Sequence, residues 1–286
     1  MAGKKNKVEL IEKLDKRITN REFKLLLQPD GLDRHSRVGQ LQRAIHELCD
    51  DAGIVFSSPE TMVGGLRNVF FVDTDDRAFH RNKLILRVRE SRSNIWLDDW
   101  CEVTFKCRSE NIDRAWAYNP VPHSDLAHRI RFKEEILKDG AIGSIRRIYS
   151  HNSVLDTVPA ELLTKQKLRQ LAAVYPGLAQ VNLPLDKTAQ MVGGRRNKVL
   201  EACVTLGHIA FSESVLAHCE IAIWFRAIGK PMVGELAFAY RVSKTNRRDI
   251  AAHQCADDFF RKLQAHFAAQ LAIGTTKTAM VYGSHE

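Results

Sequence analysis

No stretch of this 286-residue chain approaches the roughly 20 consecutive apolar residues that a membrane-spanning helix needs, so no such helix is expected. The start, Met1 to Lys7, is basic but no apolar h-region follows it, which excludes the pattern of a secretory signal peptide. The chain is therefore expected to be soluble and cytoplasmic, with residues 1–7 a flexible basic tail. Cysteine is scarce: the six (Cys49, Cys101, Cys107, Cys203, Cys219, Cys255) form no C-x-x-C pair and sit beside core residues of strands or helices. That favours buried free thiols over disulfides or zinc ligands. The eleven histidines contain no H-E-x-x-H and no other metal spacing. Prolines are few, and there is no low-complexity tract, no repeat of 20 to 50 residues and no clear linker, so residues 1–286 read as one domain. Ser, His and Asp are too dispersed for a nucleophilic triad. The four tryptophans are not interleaved with basic residues, so single-stranded nucleic-acid binding is not favoured.

What is present is charge in an uneven balance. Forty-three Lys and Arg stand against thirty-four Asp and Glu, a formal net charge of +9, within an otherwise ordinary composition of 44% hydrophobic and 27% charged residues. Such an excess favours anionic partners (nucleic acid, phosphorylated metabolites or an acidic membrane surface) without choosing among them.

Periodicity predicts a short helix over Val8–Lys16 and a strand over Asn20–Leu27 that the turn residues Gln28-Pro29-Asp30-Gly31 stop. Val38, Leu41, Ala44, Ile45 and Leu48 mark one face of a helix over Val38–Leu48. Strands follow at Asn68–Asp73, Leu84–Glu90, Cys101–Arg108 and His128–Leu137, then a helix over Pro159–Val174. Later strands are expected at Lys198–Leu206, Cys219–Arg226 and Gly234–Val242, the last two joined by a turn at Gly229-Lys230-Pro231. A helix over Arg247–Leu271 carries the apolar stripe Ile250, Phe259, Leu263, Phe267, which either covers the sheet or forms the seam of a homodimer. Many strands with hairpin-like spacing point to a mostly antiparallel sheet or barrel.

Alternation along these strands sorts side chains onto two faces. Asn20, Glu22 and Lys24 oppose Phe23, Leu25 and Leu27; Arg87 and Arg89 oppose Leu84, Leu86 and Val88. Glu102, Thr104, Lys106 and Arg108 oppose Cys101, Val103, Phe105 and Cys107. Arg129, Arg131, Lys133 and Glu135 oppose Ile130, Phe132 and Ile136. Glu220, Trp224 and Arg226 oppose Ile221, Ile223 and Phe225; Glu235 and Arg241 oppose Leu236, Phe238 and Tyr240. The charged faces together hold ten Lys or Arg and only five Glu. A sheet that is merely wet on one side would mix signs more evenly. If this face turns inward it requires an anionic guest, and an oligophosphate fits. Each charge contact at about 4 Å is worth about 4 kcal/mol before desolvation at an effective dielectric near 20. The carboxylates would then suit Mg²⁺ or Mn²⁺ bridging to phosphate.

Arg21-Glu22-Phe23-Lys24 resembles the E-x-E-x-K opening of the CYTH group, the triphosphate tunnel metalloenzymes. The stretch Val69 to Arg89 is similar to that family's Y/F-x-D-T…L-R-x-R segment, and Val103-Thr104-Phe105-Lys106 to its T-x-K strand. The match runs from about residue 20 to residue 140. It implies an α+β fold, an eight-stranded antiparallel β-barrel forming a tunnel with covering helices. It also implies a divalent cation, Mg²⁺ or Mn²⁺, and a triphosphate-bearing small molecule or polyphosphate as substrate. Phosphate-binding and catalytic roles fall to Lys24, Arg87, Arg89 and Lys106, with Arg108, Arg129, Arg131, Lys133, Arg226 and Arg241 as further phosphate contacts from the charged faces. Metal-binding roles fall to Glu22 and to Glu135, Glu220 and Glu235 on later strands. Two departures stand out: Asn20 replaces the first Glu of E-x-E-x-K, and Ala237 follows Glu235 where a second carboxylate is common. Three activities are open at this point: metal-dependent triphosphate hydrolysis, cyclisation of ATP, or binding of a polyphosphate or nucleotide without turnover. The basic loop Met191-Val192-Gly193-Gly194-Arg195-Arg196-Asn197-Lys198 lacks the K-[ST] ending of a phosphate-cradling P-loop and reads as an ordinary loop.

Overall fold

The computed structural model describes residues 14–62, 64–93, 96–123, 125, 127–158, 165–227 and 229–283. The basic tail at 1–7 and most of the helix expected over Val8–Lys16 lie outside these residues, as does the start of the helix expected at Pro159; Leu14–Lys16 are coil and turn.

Twelve strands form one sheet: β1 (Asn20–Leu27), β2 (Val55–Ser57), β3 (Gly64–Thr74), β4 (Leu84–Ser93), β5 (Trp96–Ser109), β6 (His128–Lys138), β7 (Ile145–Val158), β8 (Lys165–Lys167), β9 (Thr188–Met191), β10 (Val199–Ser212), β11 (Val215–Ala227) and β12 (Lys230–Arg241). The helices are α1 (His35–Asp50), α2 (Ala78–Arg81), α3 (Ile112–Ala117), α4 (Leu168–Val174), α5 (Ile250–His266) and α6 (Lys277–Tyr282). This is an α+β fold, and every strand pairing but one is antiparallel: β1 runs parallel to β6. None of the described helices is long and apolar enough to cross a membrane.

The pairings close on themselves. From β10 the order runs β11, β12, β1, β6, β7, β5, β4, β3, and β3 then pairs back onto β10 from Val69↔Val199 to Gly64↔Val204. The circuit therefore contains nine strands, one more than the resemblance implies, with β2, β8 and β9 as short additions outside it. The extra strand is explained by β7, whose residues Ile145–Val158 pair with both β5 and β6. Its run of Ser150, His151, Asn152 and Ser153 interrupts the apolar alternation by which a strand is recognised. At residue 207 of β10, φ is +154°, and a Cβ would lie 2.5 Å from the Ser57 carbonyl, so only glycine lets β2 pair there.

The outward faces bury two apolar cores. One lies between β1, β10, β11 and β12 and the helices α1 and α5; it contains Phe23, Leu25, Phe238, Ile45 and Phe260. Phe23 and Phe238 are register partners and stack at 4.4 Å between ring centroids. Helix α1 buries Val38, Leu41 and Ile45 of the stripe read from sequence, with Cys49 beside them, while Ala44 and Leu48 are only partly buried. Helix α5 is capped by Asp249, which accepts from the Ala252 amide, and packs Phe259, Phe260 and Leu263 inward. The apolar stripe thus covers the sheet. The second core backs β3, β4 and β5 with α2 and α4: Phe70, Leu86, Val103, Phe105, Leu168 and Tyr175. The alternating side chains of the opposite face turn to the interior of the ring, where charged residues share the space with a third apolar cluster of Phe71, Ile85, Trp224 and Tyr282.

Candidate functional site

A cavity of about 520 Å³ inside the ring is lined from eight of its nine strands: Lys24 on β1, Phe71 on β3, Arg87 on β4, Lys106 and Arg108 on β5, Glu135 on β6, Arg146 on β7, Trp224 on β11 and Glu235 on β12. Strand parity put Lys24, Arg87, Lys106, Arg108, Glu135, Trp224 and Glu235 on the charged faces, and closure brings those faces together. Glu22 and Glu135 are direct register partners, as are Lys106 and Asn152, and Asn152 and Arg131.

Cations outnumber their partners here. Glu135, buried, serves three at once: Arg108 Nη2 at 2.7 Å, Lys24 Nζ at 3.3 Å and Lys106 Nζ at 3.6 Å. Against burial, Arg108, Lys106 and Lys24 hold its carboxyl well below the usual carboxylate range. Glu22 lies between Lys24 at 3.1 Å and Lys133 at 3.2 Å, and these lower it in the same way. The cations pay unequally. Burial raises the cost of charge on Lys106 and, although Glu135 opposes, Arg108, Lys24 and Arg87 add to it, so its ammonium is pushed down to about 7. Among the described residues Arg87 makes no ion pair; its Nη2 reaches Thr104 Oγ1 at 3.3 Å, and burial, with Arg89 next in weight and Glu102 and Glu201 opposing, pushes it down to about 10. The Nε atoms of Arg87, Arg89 and Arg108 are buried with no hydrogen-bond acceptor. Unmet buried donors of this kind call for an acceptor-rich ligand.

A second group of charges adjoins the first. Glu201 on β10 is 1% exposed and is held by Arg67, by Trp224 Nε1 at 2.6 Å, by Lys277 Nζ at 3.1 Å and by Arg89 at 3.7 Å. Although burial opposes it, Lys277, Arg89 and Arg67 keep this carboxyl well below its ordinary range. Arg89 also contacts Glu102 at 2.9 Å. Arg67, Glu201 and Lys277 are charged residues of this group that sequence reading missed. For Glu201 the signal existed, since a strand was expected over Lys198–Leu206 and its parity puts Glu201 opposite Leu200 and Ala202. Lys277 stands in a segment with no periodic signal at all.

The remaining expected phosphate contacts are less central. Arg129, half-exposed, pairs with Asp156 at 2.6 Å and lies 3.8 Å from Glu102. Arg131 is half-buried beside Asn152, away from the cavity lining. Arg241 is exposed at the end of β12, and Arg226 is exposed and donates to the Met280 carbonyl at 3.4 Å. Glu220 pairs with His218 at 3.6 Å, away from the cavity. The loop at 191–198 is held by Asn197, whose Nδ2 donates to the carbonyls of Val192 and Val281, and its residues 191–195 line a separate cavity with Asp73 and Arg77.

The carboxylates do not fit a resident divalent cation. Glu22 is held between two lysines, Glu135 among three cations, Glu235 by Lys277 at 3.2 Å and Glu220 by His218. Among the described residues no group of three or more His, Cys, Asp or Glu could hold a metal ion. Cys49, Cys107 and Cys219 are buried thiols outside any disulfide, as expected, whereas the thiols of Cys203 and Cys255 are only half-buried.

No family model and no curated protein matches the sequence. Among solved structures, the chain is similar to a Hippeastrum protein, HpAC1, assigned as an adenylyl cyclase and described as having a dominant triphosphatase activity, at 11% identity over 93% of this chain and 96% of that one, with a TM-score of 0.44. A protein of Bacillus halodurans assigned as an adenylate cyclase is similar at 12% identity over 93% and 100%, with a TM-score of 0.38. The RNA triphosphatase Pct1 of S. pombe is similar at 12% identity over 96% and 78%, with a TM-score of 0.27. At these values the chemistry of the site rests on its own side chains.

Proposed function

We propose that the closed ring works as a tunnel that binds a triphosphate and hydrolyses its terminal phosphoanhydride. The carrying observation is the cation excess around one shared carboxylate: Lys24, Lys106 and Arg108 on Glu135, with Arg87 beside them and unpartnered by any acid. A triphosphate brings several negative charges and many acceptor oxygens. It would satisfy the open guanidinium Nε atoms and offset the burial, and the repulsion from neighbouring cations, that lower Lys106. In hydrolysis, water attacks the terminal phosphorus in line as the bond to the bridging oxygen breaks; the departing diphosphate keeps that oxygen and its electron pair, and the proton the water gives up passes to an oxygen of the transferred phosphate, which leaves as inorganic phosphate. Arg87, Lys106 and Arg108 neutralise the charge on the oxygens of the transferred group and the leaving group. Release of phosphate from tripolyphosphate, ATP and thiamine triphosphate, each with Mg²⁺, with Mn²⁺ and with chelator, tests this. Lys106→Ala is expected to lose at least about a hundredfold, the scale for one transition-state donor. Turnover equal to that of Lys106→Ala on every substrate would contradict it, and cyclic AMP from ATP would assign the cyclase reaction instead.

A second reading, binding without turnover, is favoured by one observation: Glu22, Glu102, Glu135, Glu201 and Glu235 are all ion-paired, and Asn20 cannot serve as a base, so none of these five carboxylates is free to activate a water. Tight calorimetric binding of tripolyphosphate with no phosphate released would select it.

A further inference from the structure

Residues 270–282 form a strap across one end of the ring. Antiparallel contacts carry it along β1: Gln28 N donates to the Gln270 carbonyl at 2.7 Å, and Ala272 N donates to the Leu26 carbonyl at 2.9 Å. Thr276 then caps α6, accepting from the Ala279 amide at 3.0 Å. The far end of the strap is anchored inside the ring. Val281 and Tyr282 are buried with Phe71, Val69 and Trp224, and the Tyr282 hydroxyl donates to Asp73 at 3.1 Å. The strap residues 272–278 line the same cavity as Arg87 and Lys106.

At the first position of α6 stands Lys277. Its ammonium lies 3.1 Å from Glu201 Oε2, 3.2 Å from Glu235 Oε1 and 4.7 Å from the centre of the Trp224 ring, and its side chain is 13% exposed. Two carboxylates from strands on either side of β11 thus converge on one cation, over an aromatic face that favours it. Glu235 is the carboxylate that the resemblance to the triphosphate tunnel enzymes assigns to a divalent ion. A resident ammonium held by two carboxylates and a ring face neutralises them without any ion from solution. Displacing it would leave a buried carboxylate, Glu201, with less of its compensating charge.

We propose that Lys277 is the tunnel's built-in cation: it occupies the carboxylate site where a metal would sit, so the tunnel takes its triphosphate free of divalent ion. This rests on the polyphosphate reading above. Lys277 lines the cavity from the strap while Lys24, Arg87, Lys106 and Arg108 line it from the wall, so a bound triphosphate meets fixed protein cations on both sides. The ligand recognised is then the bare polyanion, not its magnesium complex.

The test uses the full chain and two probes. Calorimetric titration with tripolyphosphate is run in chelator and in Mg²⁺, and Mn²⁺ binding is followed by electron paramagnetic resonance without polyphosphate. The wild type is expected to bind tripolyphosphate in chelator as tightly as in Mg²⁺ and to bind no Mn²⁺ at the site. Lys277→Met keeps the stem and removes the charge; it is expected to lose about tenfold or more in chelator, the scale of one charged hydrogen bond, and to gain one bound Mn²⁺. Lys277→Arg is expected to restore metal-free binding. Wild-type binding that requires Mg²⁺, or one Mn²⁺ bound to the wild type at Glu201 and Glu235, overturns the proposal even if Lys277→Met fails to fold. Failure of tripolyphosphate to bind under either condition overturns the polyphosphate reading itself, and the Mn²⁺ titration then decides the resident-cation claim alone.

Discussion

At Arg87 the fold carries a cation that its own surroundings disfavour: buried, beside Arg89, with only a hydroxyl for a partner. Burying such a group is worthwhile only if something else supplies the counter-charge, and this sets stability against function. Arg87→Met is accordingly expected to stabilise the unliganded protein by about 1 kcal/mol, roughly 2–4 °C in Tm for a chain of this size, while cutting tripolyphosphate affinity. Scanning calorimetry and titration of the same preparation check both. Lys106 offers a pH signature. Its folded-state value of about 7 lies below the unfolded one, so between pH 7 and the ordinary lysine range the folded state holds fewer protons than the unfolded state. The cost of burying that charge is fully present below pH 7 and is relieved as pH rises above it. A polyanion needs the charged form, so binding above pH 7 takes up a proton. Tripolyphosphate affinity is expected to fall between pH 7 and 9, and Lys106→Arg, charged throughout, to flatten the fall. An equal slope in both proteins would remove Lys106 from the site.

At the scale of elements, β1 serves two sides of the wall at once. Glu22 and Lys24 face the cavity, while Arg21, fully buried on the opposite face, joins the sheet to α5. Its guanidinium contacts Glu134 at 2.6 Å and Asp257 at 2.8 Å and donates to the Tyr240 hydroxyl at 2.9 Å; Arg147 contacts the other oxygen of Asp257 at 2.6 Å. Arg21→Met leaves two buried carboxylates, Glu134 and Asp257, to share the single cation Arg147 and is expected to cost about 3–5 kcal/mol, read as a shift in urea midpoint. Because this network lies outside the ring, variants that still fold should keep their tripolyphosphate affinity. How much could be read from the sequence also divides by element. Strands with strict alternation, such as β1, β4 and β5, were legible, and so were the cations they carry, because period 2 fixes the face of every residue. β7 was not, since polar residues occupy both of its faces, and Arg21 was not, since a charge on an apolar face gives no sign of the partners that bury it. Lys277 was invisible for a third reason: its place is set by the strap's path across the ring, a long-range contact with no local pattern.

For the whole molecule, the proposed polyanion binding depends on closure. Pairing of β3 with β10 turns an open charged sheet into an enclosed one, and the seam is reinforced by Glu201 on β10 holding Arg67 on β3 and Arg89 on β4. Enclosure changes the energetics of every charge inside, because partners across the lumen interact through less water than they would on an open face. The net charge of +9 adds a long-range pull on anions, so on-rates should fall with ionic strength. The most direct test is a crystal structure of the chain grown with tripolyphosphate in chelator. The expected result is phosphate density inside the ring, with oxygens on Arg87, Lys106 and Arg108 and the Lys277 ammonium still on Glu201 and Glu235. Density confined to the outer surface, or an empty ring at saturating ligand, would contradict the account.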